Sequence, residues 1–507
     1  MQKIDNILNK ITMYKVVMYV LCFIFISAIV LSFFDKLAFE PQALIYSAGI
    51  LLVVSLLTNE IFSRTLKVDT NSESVYITAL ILALIITPPF ADEYLSVIPI
   101  LVWAGIWSQA SKYIVSIYGK HIFNPVAFAV ALTALTINQS ASWWIGTSWL
   151  FPFVLVGGLL IVRKVRRYDV ILSFFVFAFI TLISGSLGKV DILSLFQQIL
   201  LDSPIIFFAT IMLTEPITMP PNYKSRVVYG FITGILYAPF IHIGNIFSTP
   251  ELALCIGNIY SWLASPKRRY ILTLEKATKI ARDTGEFEFS SNRKIKYKPG
   301  QYMEFTLAHK KIDSRGNRRY FTIASSPTEE KILLGIKFDK KRSSSFKQAL
   351  AELEEGQQIF AGQVGGDFVL PRDKDEKLCF IAGGIGITPF RSMIQYILDK
   401  NEQRDINLIY CCKRFEELAY TNIFHRASTH NGLKTVSTLT DIEHIPDDWK
   451  GYSGFIDVGM ILQEVPDYDE RTFYISGPNS LVVATKKLLV EIGVKKNKIK
   501  TDYFPGF

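Results

Sequence analysis

The chain has 507 residues, half of them hydrophobic and only 20% charged, with a formal net charge of +9. A mean hydropathy of +0.28 excludes a protein that is soluble throughout, and the length suffices for two or three domains. Much of the positive excess lies in short loops between apolar runs, where anionic lipid favours it, so we read it as membrane orientation and expect no nucleic-acid partner.

The apolar runs fill residues 1 to about 265. Ten candidate spans lie near 15–34, 42–60, 75–90, 94–111, 122–138, 148–162, 168–187, 194–214, 226–244 and 251–265; several approach the ~20 residues that cross a bilayer as a helix. The first run has a basic flank but no small-x-small cleavage site, which favours an anchor over a signal peptide. A cytoplasmic N-terminus puts Lys112, Lys120, Arg163, Lys164, Arg166, Arg167, Lys224 and Arg226 on the inner side and leaves mainly acidic residues outside. An even span count then returns the C-terminal half to the cytoplasm of a multi-pass inner-membrane protein.

Within this half, SVYITALILALIITPPF (74–90) and SPIIFFATIMLTEPITMPP (203–221) are each the third span of five. Both end on a double proline, Pro88-Pro89 and Pro220-Pro221. Five being odd, the two halves would have opposite orientation, the pattern of an inverted repeat with a binding site at matching interrupted segments. Polar groups in these surroundings are Asn124, Thr210, Thr214, Glu215 and Asn258, and an ionisable residue there is costly and functional by default. Solvation of Glu215 at the inner surface, and helix capping by Asn124 and Asn258, are the open alternatives.

These residues, with KHIFNPVAF (120–128), WWIGTSWLFPFVLVGGLLIVRK (143–164) and TEP (214–216), resemble the membrane subunit of Rnf electron-transport complexes. That family includes the related NqrB-type membrane component of the sodium-translocating NADH:quinone reductase. The resemblance implies electron transfer through membrane flavins, commonly including an FMN esterified to threonine in Ser-Gly-Ala-Thr. That motif is missing here: NQSASWWIGT (138–147) offers only Gly146-Thr147, and ISGS (183–186) has no threonine. The expectation is a second, non-covalent flavin (FMN or riboflavin) or a quinone site.

From 270 to 372 the chain reads as short alternating strands, YILTLEKATKI, GEFEFS, QYMEFTLAH, RRYFTIAS, ILLGIKF and QQIFAGQV, which predicts a small antiparallel barrel. From 377 strands alternate with helices, KLCFIAGG then TPFRSMIQYILDK, INLIYCC then ELAYTNIFHRAS, TFYISG then LVVATKKLLVEIGV, which predicts a parallel α/β sheet with ligands at its carboxyl edge. The fold class expected is thus a polytopic helical membrane domain (1–265), a β-barrel domain (266–372) and an α/β domain (373–507).

This pairing resembles the ferredoxin–NADP reductase superfamily through four motifs in family order. Arg319-Tyr320-Phe321-Thr322 looks like the Arg-x-Tyr-Ser/Thr box for FAD, with Arg319 at the phosphates, Phe321 stacking in place of the usual Tyr, and Thr322 near flavin N5. AGGIGITPF (382–390) assigns Gly383, Gly384, Gly386, Thr388 and Pro389 to the nicotinamide nucleotide at a strand-to-helix turn. YISGPNSLV (474–482) places Ser476, Gly477 and Pro478 beside the nicotinamide, with Ser476 where many relatives have Cys. In DYFPGF, Phe504 is the candidate flavin shield. By the same resemblance Gly300, Gln301, Ser344, Ser345, Gly365 and Gly366 hold FAD, although ordinary turns account for them equally well. Lys413 and Arg414 either read a 2′-phosphate or form a solvated basic turn, so NADH and NADPH both stay open.

Electrons from FAD would then pass to a quinone or an extracytoplasmic redox protein. A transporter or Na⁺ or H⁺ pump energised by the reductase half is the alternative from another class. Haem is not expected, because the membrane half holds only His121 and His242 as potential axial ligands. The five cysteines, Cys22, Cys255, Cys379, Cys411 and Cys412, are scattered or adjacent and lack iron–sulfur spacing.

Overall fold

The structure is a computed structural model that describes residues 8, 11–66, 72–90, 93–117, 120–186, 191–265, 269–310, 312–313, 316–338 and 343–504. The chain divides into two compact units, Met1–Lys267 and Arg268–Phe507.

The first unit is helical: α1 (Met13–Phe33), α2 (Pro41–Leu66), α3 (Ser72–Ile85), α4 (Ile98–Ile114), α5 (Pro125–Ile137), α6 (Phe151–Val165), α7 (Tyr168–Ser186), α8 (Ile192–Leu201), α9 (Ile205–Met212), α10 (Tyr223–Leu236) and α11 (Pro250–Ala264). By length and composition, three helices among the described residues can cross a membrane, α1, α2 and α7, and a fourth if the pair α8 and α9, bent by 56°, forms one span. The ten expected spans overlap helices, but most of these are too short to cross a bilayer by length. A helix of 13 to 17 residues rises only ~20–26 Å at 1.5 Å per residue, against ~30 Å of hydrocarbon.

Neighbouring helices recur in the same pairs along the unit. α2 packs on α4 and α7 on α10; α4 packs on α5 and α10 on α11; α1 packs on α3 and α6 on α9. Between these sets, α1 packs on α6 and α5 on α11. Helices α4 and α10 are each followed by a hairpin, β1 (Ser116–Ile117) with β2 (Lys120–His121) and β3 (His242–Ile243) with β4 (Ile246–Phe247). Helices α5 and α11 each open on a capped proline turn, Asn124-Pro125 and Thr249-Pro250, where proline loses no hydrogen bond and the cap side chain accepts first-turn N–H groups. Helix α3 stops at Ile85, and the loop after α5 satisfies its end: Trp143 and Ile145 N–H donate to the Ile85 and Leu84 carbonyls at 2.8 and 3.2 Å, and Trp144 Nε1 to Ala83 O at 3.0 Å.

The second unit opens with six antiparallel strands, β5 (Tyr270–Ala281), β6 (Thr284–Ser291), β7 (Tyr302–Thr306), β8 (Arg318–Thr322), β9 (Ile332–Lys337) and β10 (Gln358–Gly365). Their order is β8-β7-β10-β5-β6-β9, and Ala324 N–H to Leu333 O at 2.9 Å draws the two edges together. Leu272, Phe289, Met303, Phe305, Ile323 and Phe346 fill the barrel. The short helix α12 (Ser345–Ala351), capped by Ser344, closes one end.

A six-stranded sheet follows, β11 (Leu378–Gly383), β12 (Ile406–Cys412), β13 (Lys434–Leu439), β14 (Tyr452–Ser453), β15 (Thr472–Pro478) and β16 (Ile499–Phe504), ordered β14-β13-β12-β11-β15-β16 and parallel throughout. Helix α13 (Thr388–Asp399) follows β11 and α14 (Thr421–Asn431) follows β12. Every residue of β11 and β12 is buried, as expected where helices cover both faces. After β14 the chain returns to the far side of β11, so the strand order switches between β11 and β15, where such sheets bind ligands.

Candidate functional site

The switch point is built from glycine. Gly386 lies against the end of β15 so closely that a Cβ would come 2.4 Å from Ser476 O and 2.6 Å from Gly477 N. Gly477 itself has φ +151, with Gly383 Cα 3.0 Å from where its Cβ would be. Gly384 takes φ +52, and its carbonyl accepts from the Tyr410 hydroxyl at 3.3 Å. Thr388 Oγ1 donates to Ile385 O at 3.1 Å, and Pro389 occupies the first turn of α13. Of the predicted nucleotide residues, Gly383, Gly384, Gly386, Thr388, Pro389, Ser476, Gly477 and Pro478 thus converge on one turn-and-strand-end structure. Ser476 Oγ is fully buried there and has no hydrogen-bond partner among the described residues. A buried hydroxyl without a partner costs roughly 1–3 kcal/mol, so this one fits a polar ligand atom at the cradle.

The barrel is bolted to this structure by the chain that continues from the RYFT strand. Ser392 Oγ, on α13, donates to Ser325 O at 2.6 Å, and Arg391 Nη1 to Ala324 O at 3.2 Å. Arg391 also holds Glu329 with both Nη1 and Nη2, the second at 2.8 Å. Glycine at 335 is required here, since a Cβ would meet Tyr420 Oη at 2.6 Å and Thr388 Cγ2 at 2.9 Å.

Along β8, cross-strand pairing sets Phe321 opposite Met303 and Arg319 opposite Phe305, so Arg319 and Phe321 share the face of the barrel core, while Tyr320 and Thr322 take the other. The Phe321 ring packs on Phe305 and Phe346 at 6.0 and 5.7 Å and is half-buried. Tyr320 is 48% exposed, with its hydroxyl on Gln363 Oε1 at 2.6 Å. Thr322 is buried. Arg319 reaches the start of α12: Asp313 Oδ1 lies 3.6 Å from its Nη2, while Asp313 Oδ2 accepts the Ser345 N–H at 3.0 Å. His309 Nε2 sits 3.0 Å from Ser345 Oγ. Arg319 and Ser345 therefore already hold one anion between them, the Asp313 carboxylate.

Other predicted flavin residues brace the backbone. Gln301 accepts from Lys298 N at 2.9 Å and donates to Gly366 O at 3.0 Å. Gly300, at φ +91, lets Phe368 O approach a position 2.3 Å from its absent Cβ, and Gly366, at φ +107, faces the Tyr302 ring. Gly365 flanks a register shift in β10. Ser344 caps α12. Of the basic pair after β12, Lys413 is exposed, and Arg414 Nε is held by Asp441 Oδ2 at 2.7 Å. Arg414 is thus an ion-paired turn residue. The backbone of Phe504 pairs with Pro478 as the last residue of β16; its side chain and residues 505–507 lie outside the described residues.

In the helical unit, three predicted polar residues meet. Asn124 N–H donates to Asn258 Oδ1 at 2.8 Å and its Nδ2 to Glu215 Oε2 at 2.9 Å. Glu215 also receives Thr218 Oγ1 at 3.0 Å and lies 3.3 Å from His121 Nε2. Asn258 Nδ2 donates to the Tyr229 hydroxyl at 3.1 Å. Asn124 caps α5 as well, so its capping and clustering roles coincide. Thr210 and Thr214 stay apart from the cluster: each hydroxyl returns to the carbonyl four residues earlier, and Thr210 packs where a Cβ on Gly158 would be. Sequence reasoning named His121 only as a potential axial ligand and Lys112 only as an inner-side charge, and passed over Tyr229; Lys112 Nζ lies within 3.2 Å of four oxygens from Ser74, Thr78 and Gln109, and the buried Glu251, also missed as a site residue, accepts from Trp143 Nε1 at 2.9 Å. A lysine, histidine or glutamate inside an apolar segment was the available signal.

The parallel sheet and its glycine cradle define the C-terminal part as an FAD/NAD-binding reductase fold. Residues 380–487 match the family described as the oxidoreductase NAD-binding domain. The glycine betaine monooxygenase reductase subunit of Pseudomonas aeruginosa is 25% identical over 240 residues, 46% of this chain and 64% of that one. A component of the Na(+)-translocating NADH-quinone reductase of Serratia proteamaculans is 29% identical over 158 residues, 30% of this chain and 39% of that one. The crystal structure of the Amycolatopsis cytochrome P450 reductase GcoB aligns at 21% identity over 47% of this chain and 71% of its own, with a TM-score of 0.42. The chain spans less than two thirds of the length of these curated relatives.

Proposed function

We propose that the chain is a membrane-bound, NAD(P)H-dependent flavin oxidoreductase. Its C-terminal unit takes hydride from cytosolic NADH or NADPH onto FAD, and electrons leave one at a time through the helical unit to a quinone or an extracytoplasmic acceptor. The observation that carries this reading is the junction at Ser325, Ser392 and Arg391, which ties the Arg319–Thr322 strand to the helix leaving the Gly383–Gly386 turn.

FAD would be held by Arg319 and the Ser345 N–H, which already grip a carboxylate, and by the Tyr320 and Thr322 face of β8. Bound flavin supplies a centre that accepts two electrons together and releases them singly. The chain's own part is positional. Gly383, Gly386 and Gly477 let the turn pack closely against the end of β15 and the start of the helix after it, Gly384 has open space at its Cβ position where a dinucleotide can approach the backbone, the start of α13 favours its phosphates, and Ser476 Oγ offers a hydrogen bond inside the cradle. Phe504, whose backbone pairs with Pro478 at the end of β16, is the proposed flavin shield.

For the helical unit we infer an Rnf-like membrane domain of ten spans in two inverted sets of five. The recurring helix pairs, the two hairpins and the two capped prolines support it. The cluster of Asn124, Glu215 and Asn258 is then the acceptor site, for a second, non-covalent flavin or a quinone headgroup. Such a centre is required, because ~30 Å of hydrocarbon is too thick for one efficient electron step. The ionisable groups Glu215, His121 and Lys112 in that unit favour a second reading, in which electron flow drives Na⁺ or H⁺ across the bilayer.

Flavin analysis of the purified full-length chain, before and after anaerobic NADH or NADPH and after acid precipitation, tests the proposal. Two flavins, both released by acid, support it; one flavin per chain sinks the membrane centre. Ion flux into proteoliposomes on adding nucleotide separates the pump from plain electron transfer.

A further inference from the structure

Two turns form the carboxyl edge of the parallel sheet beyond the glycine cradle, Lys413–Glu417 after β12 and Thr440–His444 after β13. Backbone bonds make them one rim: Thr440 N–H donates to Cys412 O and Asp441 N–H to Lys413 O, both at 3.0 Å. On this rim Asp441 is fixed at both oxygens. Oδ2 accepts Arg414 Nε at 2.7 Å, and Oδ1 lies 3.1 Å from His444 Nδ1. The hydrogen bond from Arg414, and then that from His444, holds the Asp441 carboxyl below its ordinary range, so it is ionised at neutral pH. Glu443 is exposed beside it, with a carboxylate oxygen within 4.8 Å of the Asp441 and His444 atoms. Arg414 occupies the carboxylate that a cation would need, so the cluster is a polar rim and no metal centre.

In doubly wound sheets this edge meets the adenosine ribose, where an acidic side chain suits a 2′-hydroxyl and an available arginine suits a 2′-phosphate. Here the arginine is already claimed. A 2′-phosphate, carrying about −1.5 to −2 at pH 7, would have to displace the Asp441 carboxylate from Arg414 and then lie beside it and Glu443. A ribose hydroxyl needs neither step, since it can donate to either carboxylate. Lys413 and Arg414 face four acidic residues on the two turns, Glu416, Glu417, Asp441 and Glu443, so the rim has no net positive charge to draw in a phosphate.

We propose that Asp441 and Glu443, with Arg414 locked between the two turns, make the enzyme select NADH over NADPH. This rests on the nucleotide reading of the C-terminal unit given above. The test uses the full-length protein in detergent and two ligands that need no flavin, ADP-ribose and 2′-phospho-ADP-ribose, titrated by calorimetry. ADP-ribose should bind at least about tenfold more tightly, and Asp441→Asn with Glu443→Gln should shrink the ratio by about tenfold, which is about 1.4 kcal/mol. Tighter or equal binding of the 2′-phospho ligand to the unsubstituted protein overturns the proposal, as does an unchanged ratio in the double variant. If neither ligand binds, the nucleotide reading falls and takes this inference with it. If the ligands bind in the stated order but NADH reduces no flavin, the redox proposal alone is lost.

Discussion

Gly386 offers the sharpest test of the nucleotide cradle. In Gly386→Ala the new methyl group would lie 2.4 Å from Ser476 O and 2.6 Å from both Gly477 Cα and N, whereas non-bonded carbon contacts settle near 3.5–4.0 Å. All three neighbours are backbone, so the turn and the end of β15 must separate by about 1 Å. Overpacking of this kind costs ~1–3 kcal/mol, or about five- to 150-fold if it falls on nucleotide recognition. The assay is kcat/KM for anaerobic flavin reduction by NADH in the purified full-length protein, with flavin content measured in the same samples. The barrel is untouched, so flavin content should hold while kcat/KM falls. Gly459→Ala is the control, because that exposed glycine has nothing nearer its Cβ than Asp457 Oδ1 at 3.4 Å. A Gly386→Ala protein that reduces flavin within about twofold of the parent would refute the cradle.

Three further outcomes are expected. Glu329→Gln leaves the Arg391 guanidinium, whose side chain is 8% exposed, short of its counter-charge. With Glu329 itself 26% exposed, solvent screening brings the loss to ~1–3 kcal/mol, seen as earlier flavin release in a thermal ramp. Glu215→Gln weakens a charge-assisted cluster worth ~1.5–3 kcal/mol; NADH should still bleach the flavin, while electron delivery to a lipid-soluble quinone falls about tenfold or more. Asp467 is held at about 2, first by its hydrogen bond to Arg471, against an ordinary value of 3.8. Its folded-state value is depressed, so its contribution is complete above pH 3.8 and is lost as pH falls towards 2. The flavin-release midpoint should drop across that window in the parent and less in Asp467→Asn.

The barrel strands and the first strand–helix units were legible because their information is local: alternation, turn residues and one glycine-rich turn lie within a few residues of each other. β13 was not, because KTVSTL exposes its first two residues and reads as polar chain. β16 was read as a tail, since nothing in IKTDYF announces the edge of a parallel sheet. The expected stacking role of Phe321 meets a register that sets it opposite Met303 on the core face, a fact fixed by pairing with β7. Most of what the site adds comes from long-range pairs. Asp313 reaches Ser345 across 32 residues, Arg414 meets Asp441 across 27, and Asn124 meets Glu215 and Asn258 across 91 and 134. Polar residues in apolar segments marked the last cluster; only the fold shows that they touch, and that Thr210 and Thr214 do not join them.

The central claim is that nucleotide, flavin and membrane unit form one electron path. The most direct measurement is anaerobic addition of NADH to the full-length protein in liposomes, following the yellow flavin absorbance and then adding a lipid-soluble quinone. The account predicts bleaching by NADH and return of the colour with the quinone. A flavin that stays yellow with both NADH and NADPH contradicts it.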